Sequence, residues 1–505
     1  GGHGENEHFF PPQDFSKHLT PYTCETCNSY NMLKLTTHLF EWSKEEKRAQ
    51  QMDFVERTLI NHLAANIGRA PGEYGYFLGL ESVAVKAFST PYDSWWCCVG
   101  TGLENPARYG EQIYFEDDAA VWVNLYAGSE LKSAQGDFVC RQETRFPEED
   151  RVRLAIECSS PVKKALKLRH PAWCEQLEVI LNGDPVTAQS RPSSYLTIDR
   201  VWQDGDQLEL RLTMRLQLEP LPHSNPQQLA VMFGPMLLAA VVPPDPGKID
   251  PAKKRHEDHL LARGKTDEFP PLFVVASEEK LLAGLEPTDS FGQFQSKGVM
   301  APADLLMVPL HTIYEEHYAA YLPRLTPQEW QARETEMRAA QARLSELEAG
   351  TQDRVQPGQQ QPEIDHDCAG EKTEPCVTHH HHGRTIKEGG WCSYRFSCET
   401  DDHLAVVLTY WGGDWLSSTF DLLIDGERIA TQSLSNKRFG ANFHEVAYAV
   451  PIELTRGKST VTLRIDSRKG NEPINFYGVK LMLAALVRDD PQFKLPPEKM
   501  GTPVA

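Results

Sequence analysis

The sequence predicts a multidomain protein of the α+β class, with a helical N-terminal part followed by antiparallel β-sandwich domains. The chain has 505 residues, which is long enough for three or four domains. Apolar residues recur at helical spacing in residues 28–67, whereas from about residue 115 they alternate with polar ones. We expect five parts: residues 1–114 helical, 115–325 one or two β-sandwiches, 326–384 a helix and linker, 385–490 a C-terminal β-sandwich, and 491–505 a tail.

Two helices account for the pattern in residues 28–67. The apolar positions of the first are expected to form one buried face: Met32, Leu33, Leu35, Leu39 and Phe40. The second helix repeats the pattern at Phe54, Val55, Leu59 and Leu63. The polar stretch EWSKEEKRAQ, residues 41–50, is expected to join the two helices.

The β regions show the period of two that a half-buried strand produces. RVRLAIEC, residues 151–158, alternates in this way, and DQLELRLTMRLQLEPL, residues 206–221, extends the alternation over a longer run. Asn182-Gly183 signals a tight hairpin turn, and Asp425-Gly426 signals another in the C-terminal region. These signals indicate antiparallel sheets.

One long helix separates the two β regions. Thr326 can cap it, Pro327 suits its first position and Glu329 completes a capping box. Gly350 is a typical C-terminal stop. The polar, proline-containing residues 351–367 that follow are interpreted as a linker.

Composition limits the classes of partner. The formal net charge is −20, which argues against nucleic acid and anionic membrane surfaces, because both require clustered Lys and Arg. No apolar run approaches the roughly 18 residues of a membrane helix. The eleven cysteines are an odd number without framework spacing, which argues against a disulfide-rich secreted scaffold. A neutral substrate fits best, and the oligomeric state is not indicated.

Two cysteine-containing stretches carry the clearest chemistry. DSWWCCVGTGLEN, residues 93–105, contains the adjacent Cys97 and Cys98, and neighbouring cysteines reach disulfide geometry only with strain. YTCETCNSYNMLKL, residues 22–35, contains two more cysteines around Glu25. Together the stretches offer thiols and a carboxylate, which are the ligands that select zinc.

These stretches also occur in a specific order. ETCNSYNMLKL (residues 25–35) precedes YFLGL (76–80) and WWCCVGTGLENPARYG (95–110), and β domains follow. In this order the chain resembles the β-L-arabinofuranosidase family, glycoside hydrolase family 127 and its near relatives. Residues 355–367 and 406–414 resemble the accessory region of longer bacterial members, so the resemblance extends over nearly the whole chain.

The resemblance implies the C-terminal part of an (α/α)6 barrel that holds a zinc ion on one glutamate and three cysteines. Matched by motif, the zinc ligands are Glu25, Cys27, Cys97 and Cys98. Cys97 is also the implied nucleophile, Glu7 of ENEHF is the implied acid/base, and Tyr76 is the implied substrate contact. The implied activity is that of a retaining exo-glycosidase releasing L-arabinofuranose, or a similar furanose, from plant-type oligosaccharides or arabinosides.

Zinc makes a thiol nucleophile chemically reasonable. A retaining glycosidase needs a nucleophile and an acid that protonates the leaving oxygen. A free cysteine has a pKa near 8.5, and metal coordination deprotonates it. Adjacent side chains in an extended or turn segment point apart, so we expect one sulfur, Cys97, to face the sugar while Cys98 anchors the metal.

Several interpretations stay open at this point. Closed thiolate sites are commonly structural, so the ligand set alone favours a structural zinc site, and a non-catalytic, zinc-stabilised carbohydrate-binding scaffold is the alternative function. Cys24 is interpreted as a buried residue beside the site; alternatively, it replaces Glu25 as a ligand. Glu5 competes with Glu7 for the acid/base role.

Other residues allow a purely structural role, in place of or beside a functional one. Glu104 is expected in the first turn of a helix that follows the Gly-Thr-Gly turn, where a carboxylate is favourable. Trp95 and Trp96 either border the sugar-binding cleft or pack the domain. The remaining cysteines have no metal-ligand spacing and are interpreted as packing or surface thiols: Cys140, Cys158, Cys174, Cys368, Cys376, Cys392 and Cys398.

The start of the sequence bears on completeness. It begins GGHGENEHFF, with no Met and no signal peptide. About twelve barrel helices of about 11 residues each exceed the roughly 110 residues that precede the β region. We therefore expect the N-terminal part of the catalytic domain to lie upstream and these residues alone to be inactive. The compartment is expected to be periplasmic or extracellular, with the cytoplasm as the alternative.

Overall fold

The structure is a computed structural model that divides into two compact units, residues 1–335 and 336–505. It describes residues 15, 18–20, 23–80, 82–92, 94, 96–222, 226–243, 270–378, 381–413, 417–435, 442–488, 490 and 493–494. Helices and antiparallel sheets are both present, as the α+β prediction requires. None of the helices in the described ranges combines the length and apolarity that crossing a bilayer demands.

The first unit begins with a helical region. Its helices are α1 Thr26–Trp42, α2 Glu45–Thr58, a π-helical turn Leu59–Leu63, a 3-10 turn Ala64–Asn66, α3 Cys97–Arg108 and a 3-10 turn Tyr109–Gln112. The predicted join at residues 41–50 is too long, because α2 begins at Glu45. Glu45 and Glu46 lie in its first turn, where acidic side chains interact favourably with the helix dipole.

Helix α1 is apolar on two faces, which corrects the prediction of one. Leu33 and Phe40 are buried, whereas Met32, Leu35 and Leu39 are 40–47% exposed. Residues 33 and 40 lie two turns apart on one face, and residues 32, 35 and 39 follow the same spacing on another. The 3–4 spacing therefore fits both sets, and the sequence pattern merges them.

A β-sandwich follows the helical region. Its strands are β1 Tyr114–Glu116, β2 Ala120–Val123, β3 Ser129–Lys132, β4 Val139–Glu143, β5 Arg151–Glu157, β6 Val162–His170, β7 Leu177–Leu181, β8 Asp184–Pro185, β9 Ser194–Trp202 and β10 Gln207–Leu212. They form a four-stranded sheet, β1-β2-β6-β9, and a six-stranded sheet, β3-β4-β5-β10-β7-β8. Alternate apolar residues of both sheets meet in one core.

A buried ion-pair cluster attaches α2 to this sandwich. Arg169 of β6 is 0% exposed and donates to Asp53, at 2.7 Å, and to Glu56, both on α2. The Trp173 indole N–H also donates to Glu56, at 2.7 Å. Burying these charges is favourable only because each has a partner, so the cluster fixes where α2 lies on the sandwich.

A ten-stranded sheet completes the first unit. Its strands are β11 Leu216–Pro220, β12 Gln228–Phe233, β13 Met236–Val242, β14 Leu272–Val274, β15 Leu285–Pro287, β16 Phe294–Ser296, β17 Met300–Ala301, β18 Leu306–Pro309, β19 His317–Ala319 and β20 Leu322–Leu325, with α4 Glu278–Ala283 and a 3-10 turn Leu310–Thr312 beside them. The long alternating run at residues 206–221 is therefore divided between two sheets, as β10 and β11. One face of the ten-stranded sheet packs against residues of the helical region, including Leu78 and Ala84.

The C-terminal β-sandwich lies in the second unit. Its elements are β21 Thr351–Val355, α6 Gln360–Asp365, β22 Ala369–Thr378, β23 His381–Ser397, β24 Leu404–Trp411, β25 Ser417–Ile424, β26 Glu427–Ser435, β27 Phe443–Ala449, a 3-10 turn Ile452–Leu454, β28 Thr460–Ser467, β29 Ile474–Phe476, β30 Gly478–Leu483, a 3-10 turn Ala484–Leu486 and β31 Phe493–Lys494. A five-stranded sheet, β21-β30-β24-β27-β31, shares one core with a six-stranded sheet built on β22-β23-β28-β25-β26.

Local signals in the sequence are confirmed where turn and cap chemistry decide the structure. Helix α5, Pro327–Ala349, has the predicted capping box: Thr326 N–H donates to Glu329 Oε2, and Glu329 N–H to Thr326 Oγ1. Both predicted hairpin turns occur with positive φ at each turn residue, at Asn182-Gly183 and Asp425-Gly426. The linker interpretation of residues 351–367 is wrong, because β21 pairs with β30 and α6 follows it.

Candidate metal and catalytic site

Four of the residues predicted as zinc ligands come together in the first unit. Each offers one ligand atom, and these atoms all lie within 4.8 Å of one another: Glu25, Cys27, Cys97 and Cys98. The Cys98 Sγ is 3.3 Å from Cys27 Sγ and 3.9 Å from Cys97 Sγ. Glu25 Oε1 is 3.9 Å from Cys97 Sγ. The two cysteine stretches, far apart in the chain, therefore form one cluster.

The start of α1 positions Glu25 and Cys27. Glu25 is extended and immediately precedes the helix, and Cys27 lies in the first helical turn. The backbone here pairs with the YFLGL stretch, since Thr26 N–H donates to the Tyr76 carbonyl, at 3.0 Å. This pairing brings Tyr76 beside the cluster, where its hydroxyl lies 3.6 Å from Cys97 Sγ.

Helix α3 positions the other two ligands, and it begins earlier than predicted. Cys97 and Cys98 occupy its first turn instead of an extended or turn segment. Glu104 is consequently near the middle of α3, where it pairs with Arg108 at 3.2 Å, so its expected place in the first turn is wrong. The thiols themselves take the favourable N-terminal position, and a helix N-terminus stabilises thiolate.

The adjacent cysteines differ in accessibility. Cys98 is 0% exposed, whereas Cys97 is exposed. In a helix, neighbouring side chains point in directions about 100° apart, so one can face solvent while the other faces the interior. The expected division into an outward and an inward sulfur therefore arises from helical geometry.

The three thiols have different pKa values. The Cys98 thiol donates a hydrogen bond to Cys27 Sγ, and this bond lowers the pKa of Cys27 to about 6. The same bond, together with burial, raises the pKa of Cys98. Burial, and then the neighbouring Cys27 sulfur, raises the pKa of Cys97 to about 11. At neutral pH one negative charge therefore lies mainly on Cys27.

The geometry of the cluster fits a zinc ion. A tetrahedral site with zinc–sulfur bonds of about 2.3 Å sets neighbouring sulfurs about 3.8 Å apart. The sulfur separations of 3.3 Å and 3.9 Å around Cys98 lie close to that spacing. Three thiols and one carboxylate are also donors that zinc accepts. The cluster can hold a metal ion.

Cys24 lies outside this group of ligand atoms. Its backbone has φ +54°, and its side chain is partly buried against an apolar cluster that includes Leu78 and Tyr318. Burial raises the pKa of its thiol. The arrangement favours the interpretation of Cys24 as a packing residue over the alternative in which it replaces Glu25.

The remaining predicted residues divide into two sets. The Tyr76 ring packs against Phe77 and lies 6.0 Å from the Trp96 ring, so an aromatic side chain and a phenol hydroxyl border the exposed Cys97. Glu5, Glu7 and Trp95 lie outside the described residues, and their roles stay predictions.

Sequence reasoning missed Thr101, whose Oγ1 lies 2.9 Å from Cys27 Sγ. Thr101 lies one turn after Cys97 on α3, so it shares a helix face with the cysteines. That spacing was a usable signal, but only with the correct start of α3.

Two domain families of glycoside hydrolases match the first unit. Residues 1–111 match the model for the β-L-arabinofuranosidase GH127 catalytic domain, and residues 120–214 match the GH127 middle domain. Residues 346–482 match a family of unknown function, DUF6805. None of the curated proteins matches the chain.

Several solved structures resemble the chain. Ara127N-Se, a GH127 β-L-arabinofuranosidase from Geobacillus stearothermophilus T6, is 20% identical with a TM-score of 0.47, and the match covers 64% of this chain and 54% of that one. The GH127 β-arabinofuranosidase BT3674 is 21% identical with a TM-score of 0.46, covering 64% and 53%. A family 35 carbohydrate-binding module from Clostridium thermocellum is 10% identical with a TM-score of 0.22, covering 26% and 98%.

The match to each of these GH127 structures spans about half of its length. The family models assign residues more specifically, because they match the catalytic and middle domains in the same order as the helical region and the first sandwich. These two matches support the assignment of residues 1–111 and 120–214 to the catalytic and middle domains of glycoside hydrolase family 127.

Proposed function

We propose that the protein containing this chain is a retaining exo-glycosidase that releases L-arabinofuranose, or a similar furanose, from plant-type glycans. The observation that carries the proposal is an exposed thiol, Cys97, held within 4.8 Å of two further thiols and a carboxylate. The family matches support glycoside hydrolysis, and the description of the catalytic domain supports the sugar. The compartment stays a prediction.

Cys97 takes the role of nucleophile in this proposal. Its sulfur attacks the anomeric carbon, and a carbon–sulfur bond forms as the glycosidic carbon–oxygen bond breaks. Glu7 gives its proton to the leaving oxygen; the resulting carboxylate then takes a proton from water, which displaces the sulfur. Two displacements at one carbon retain the configuration. The role of Glu7 rests on the resemblance, with Glu5 as the alternative.

A bound zinc ion would keep all three thiols deprotonated at neutral pH, whereas without metal Cys97 and Cys98 have raised pKa values and keep their protons. Glu25, Cys27, Cys97 and Cys98 are the residues that would hold it. Cys98 is buried and suits an anchor, whereas the exposed Cys97 can reach a sugar. Tyr76 borders the same sulfur and suits a substrate contact.

The exposure of Cys97 favours a catalytic site over a purely structural one. In structural zinc sites four protein ligands close the coordination sphere, and the site serves the fold. A ligand sulfur that faces solvent adds little to the fold but is accessible to substrate. The non-catalytic scaffold is therefore the weaker of the two interpretations.

We further propose that the helical region is part of an (α/α)6 barrel. The two apolar faces of α1 support this, because a helix that is apolar over most of its circumference is normally buried on both faces. One face packs within the described region through Leu33 and Phe40. The other, with Met32, Leu35 and Leu39, would contact further helices of the barrel.

The decisive experiment combines metal analysis with labelling of the nucleophile. We expect about one zinc per chain and loss of activity when a strong chelator removes it. A furanose-configured cyclophellitol analogue, followed by peptide mass spectrometry, should place the label on Cys97. An aryl β-L-arabinofuranoside should be hydrolysed by the protein. Metal-free protein with full activity, or a label confined to Cys98 or Glu25, would contradict the mechanism.

The same preparation separates the enzyme from the scaffold. A carbohydrate-binding scaffold should be retained on an arabinan affinity gel yet release no colour from the aryl arabinofuranoside. An enzyme should release colour at a rate that depends on Cys97. Retention without hydrolysis, in protein that carries its metal, would favour the scaffold.

A further inference from the structure

We propose that Thr101 is a positioning residue of this site: its hydroxyl donates a hydrogen bond to Cys27 Sγ, holds that sulfur as a permanent ligand, and leaves Cys97 as the sulfur that attacks. The inference rests on the metal and thiolate chemistry of the proposed function. It gives a role to a residue that lies within the cysteine motif, three positions after Cys98, but outside the predicted ligand set.

The contact joins the two helices that carry the ligands. Thr101 on α3 and Cys27 on α1 are 74 positions apart, and their Oγ1 and Sγ atoms are separated by 2.9 Å. A helical threonine commonly turns its hydroxyl back to the carbonyl four residues earlier, as Thr36 does to Met32 at 2.7 Å. Thr101 instead has its hydroxyl on the sulfur of a neighbouring helix.

The direction of this hydrogen bond follows from the state of the sulfur. Between a thiol and a hydroxyl either group can donate, but a thiolate has no proton and only accepts. Metal coordination deprotonates the ligand thiols, so Cys98 can then no longer donate to Cys27. Thr101 keeps its proton in both states and is the donor that persists when metal is bound.

The three sulfurs would consequently differ in reactivity. A hydrogen bond to a thiolate draws electron density from the sulfur and weakens it as a nucleophile. Cys27 receives a short one from Thr101, and Cys98 is fully buried. The contacts of Cys97 Sγ are longer, at 3.6 Å to the Tyr76 hydroxyl and 3.9 Å to a carboxylate oxygen and to Cys98 Sγ, and Cys97 is exposed. The arrangement therefore directs nucleophilic attack to Cys97.

Cobalt(II) substitution tests the hydrogen bond without relying on activity. Thiolate-to-cobalt charge-transfer absorption shifts to longer wavelength when a sulfur loses a hydrogen bond, because its electrons become easier to remove. Thr101→Val keeps the shape but removes the hydroxyl, and should show this shift with about 10–100-fold weaker metal binding. Thr101→Ser should restore both values. Thr36→Val, which removes a hydroxyl bonded to a carbonyl on α1, should change neither.

The possible outcomes separate this inference from the proposed function. If wild-type protein binds cobalt with thiolate charge transfer but Thr101→Val matches it in wavelength and affinity, the role of Thr101 is wrong and the metal site stands. If wild-type protein shows no metal or no thiolate charge transfer, both proposals fail. Far-ultraviolet circular dichroism checks folding; should Thr101→Val be unfolded, Thr101→Ala carries the same expectation.

Discussion

At the scale of single residues, substitutions of the two adjacent cysteines should reduce activity for different reasons. Cys97→Ser should retain most of the bound zinc but lose several orders of magnitude in rate, because a serine hydroxyl is a poor replacement for a thiolate nucleophile. Cys98→Ser should act mainly through weaker zinc binding, since Cys98 is buried at the centre of the sulfur contacts. Metal analysis and single-turnover kinetics distinguish the two.

Added zinc supplies the control for these variants. It should restore much of the activity of Cys98→Ser and none of the activity of Cys97→Ser. If added zinc restored Cys97→Ser to the wild-type rate, Cys97 would be the zinc anchor and Cys98 the nucleophile, the reverse of our assignment.

The uneven protonation of the sulfurs predicts how metal affinity depends on pH. At pH 7 Cys27, with its pKa lowered to about 6, is mostly thiolate, while Cys97 and Cys98 have raised pKa values and keep their protons. Metal binding must remove those two protons, so affinity falls as pH falls. Between pH 7 and 9 we expect the logarithm of the association constant to rise by about 2 per pH unit.

Competition with a chelator of known proton affinity measures this slope. Cys97→Ala removes one of the two titrating ligands, and its slope should fall to about 1. An association constant that is independent of pH over this range would mean that the sulfurs are not the ligands.

The roles of individual residues could be predicted from the sequence only where those residues belong to a motif that the family resemblance identifies. The spacing of Glu25, Cys27, Cys97 and Cys98, read through the family resemblance, selected the residues that the fold brings together. The role of Cys24 stayed open, because its positive φ decides which way the side chain points and nothing in the sequence fixes φ there. Thr101 was missed since its contact depends on helix packing.

At the scale of elements, helix α3 sets the position of both adjacent cysteines, and a close contact determines where it lies. A Cβ atom added at Gly102 would come within 2.3–2.9 Å of the Tyr74 side chain, whereas one added at Gly100 meets nothing within 4 Å. Gly102→Ala should therefore cost about 1–3 kcal/mol of unfolding free energy and lower metal affinity. Gly100→Ala should be neutral or stabilising by up to about 1 kcal/mol, as expected for alanine in a helix.

Chemical denaturation and metal titration of the two variants provide the comparison. Combining Gly102→Ala with Tyr74→Ala should recover part of the lost metal affinity, because it removes the ring that the new methyl group meets. Equal effects of the two glycine substitutions would show that helix propensity, and not the contact with Tyr74, controls α3.

Elements were predictable where local chemistry decides them and less so where packing does. Strand alternation, the capping box of α5 and both hairpin turns follow from neighbouring residues alone. The start of α3 was misplaced because Trp96 is not a typical capping residue, and Gly-Thr-Gly is typical of a turn. The sequence predicts a linker where β21 lies, because the pairing of β21 with β30 joins residues more than a hundred positions apart and leaves no local signal.

At the scale of the whole molecule, the structure divides into two compact units that each have cores of their own. The first contains the sandwich core, and the second contains the core shared by its two sheets. All four candidate ligands belong to the first unit. A ligand that binds only the folded state stabilises only the unit that binds it.

We therefore expect calorimetry of the full chain to resolve two unfolding transitions, of which zinc moves one. Zinc at about 1,000 times its dissociation constant adds about 4 kcal/mol to the first unit, which raises its transition by several degrees. The second unit, which contains none of these four residues, should unfold at the same temperature with zinc or with chelator. Cys98→Ser should make the first transition largely insensitive to zinc at the same concentration. If zinc moved both transitions together, the two units would not unfold independently, and the metal site would support the entire chain.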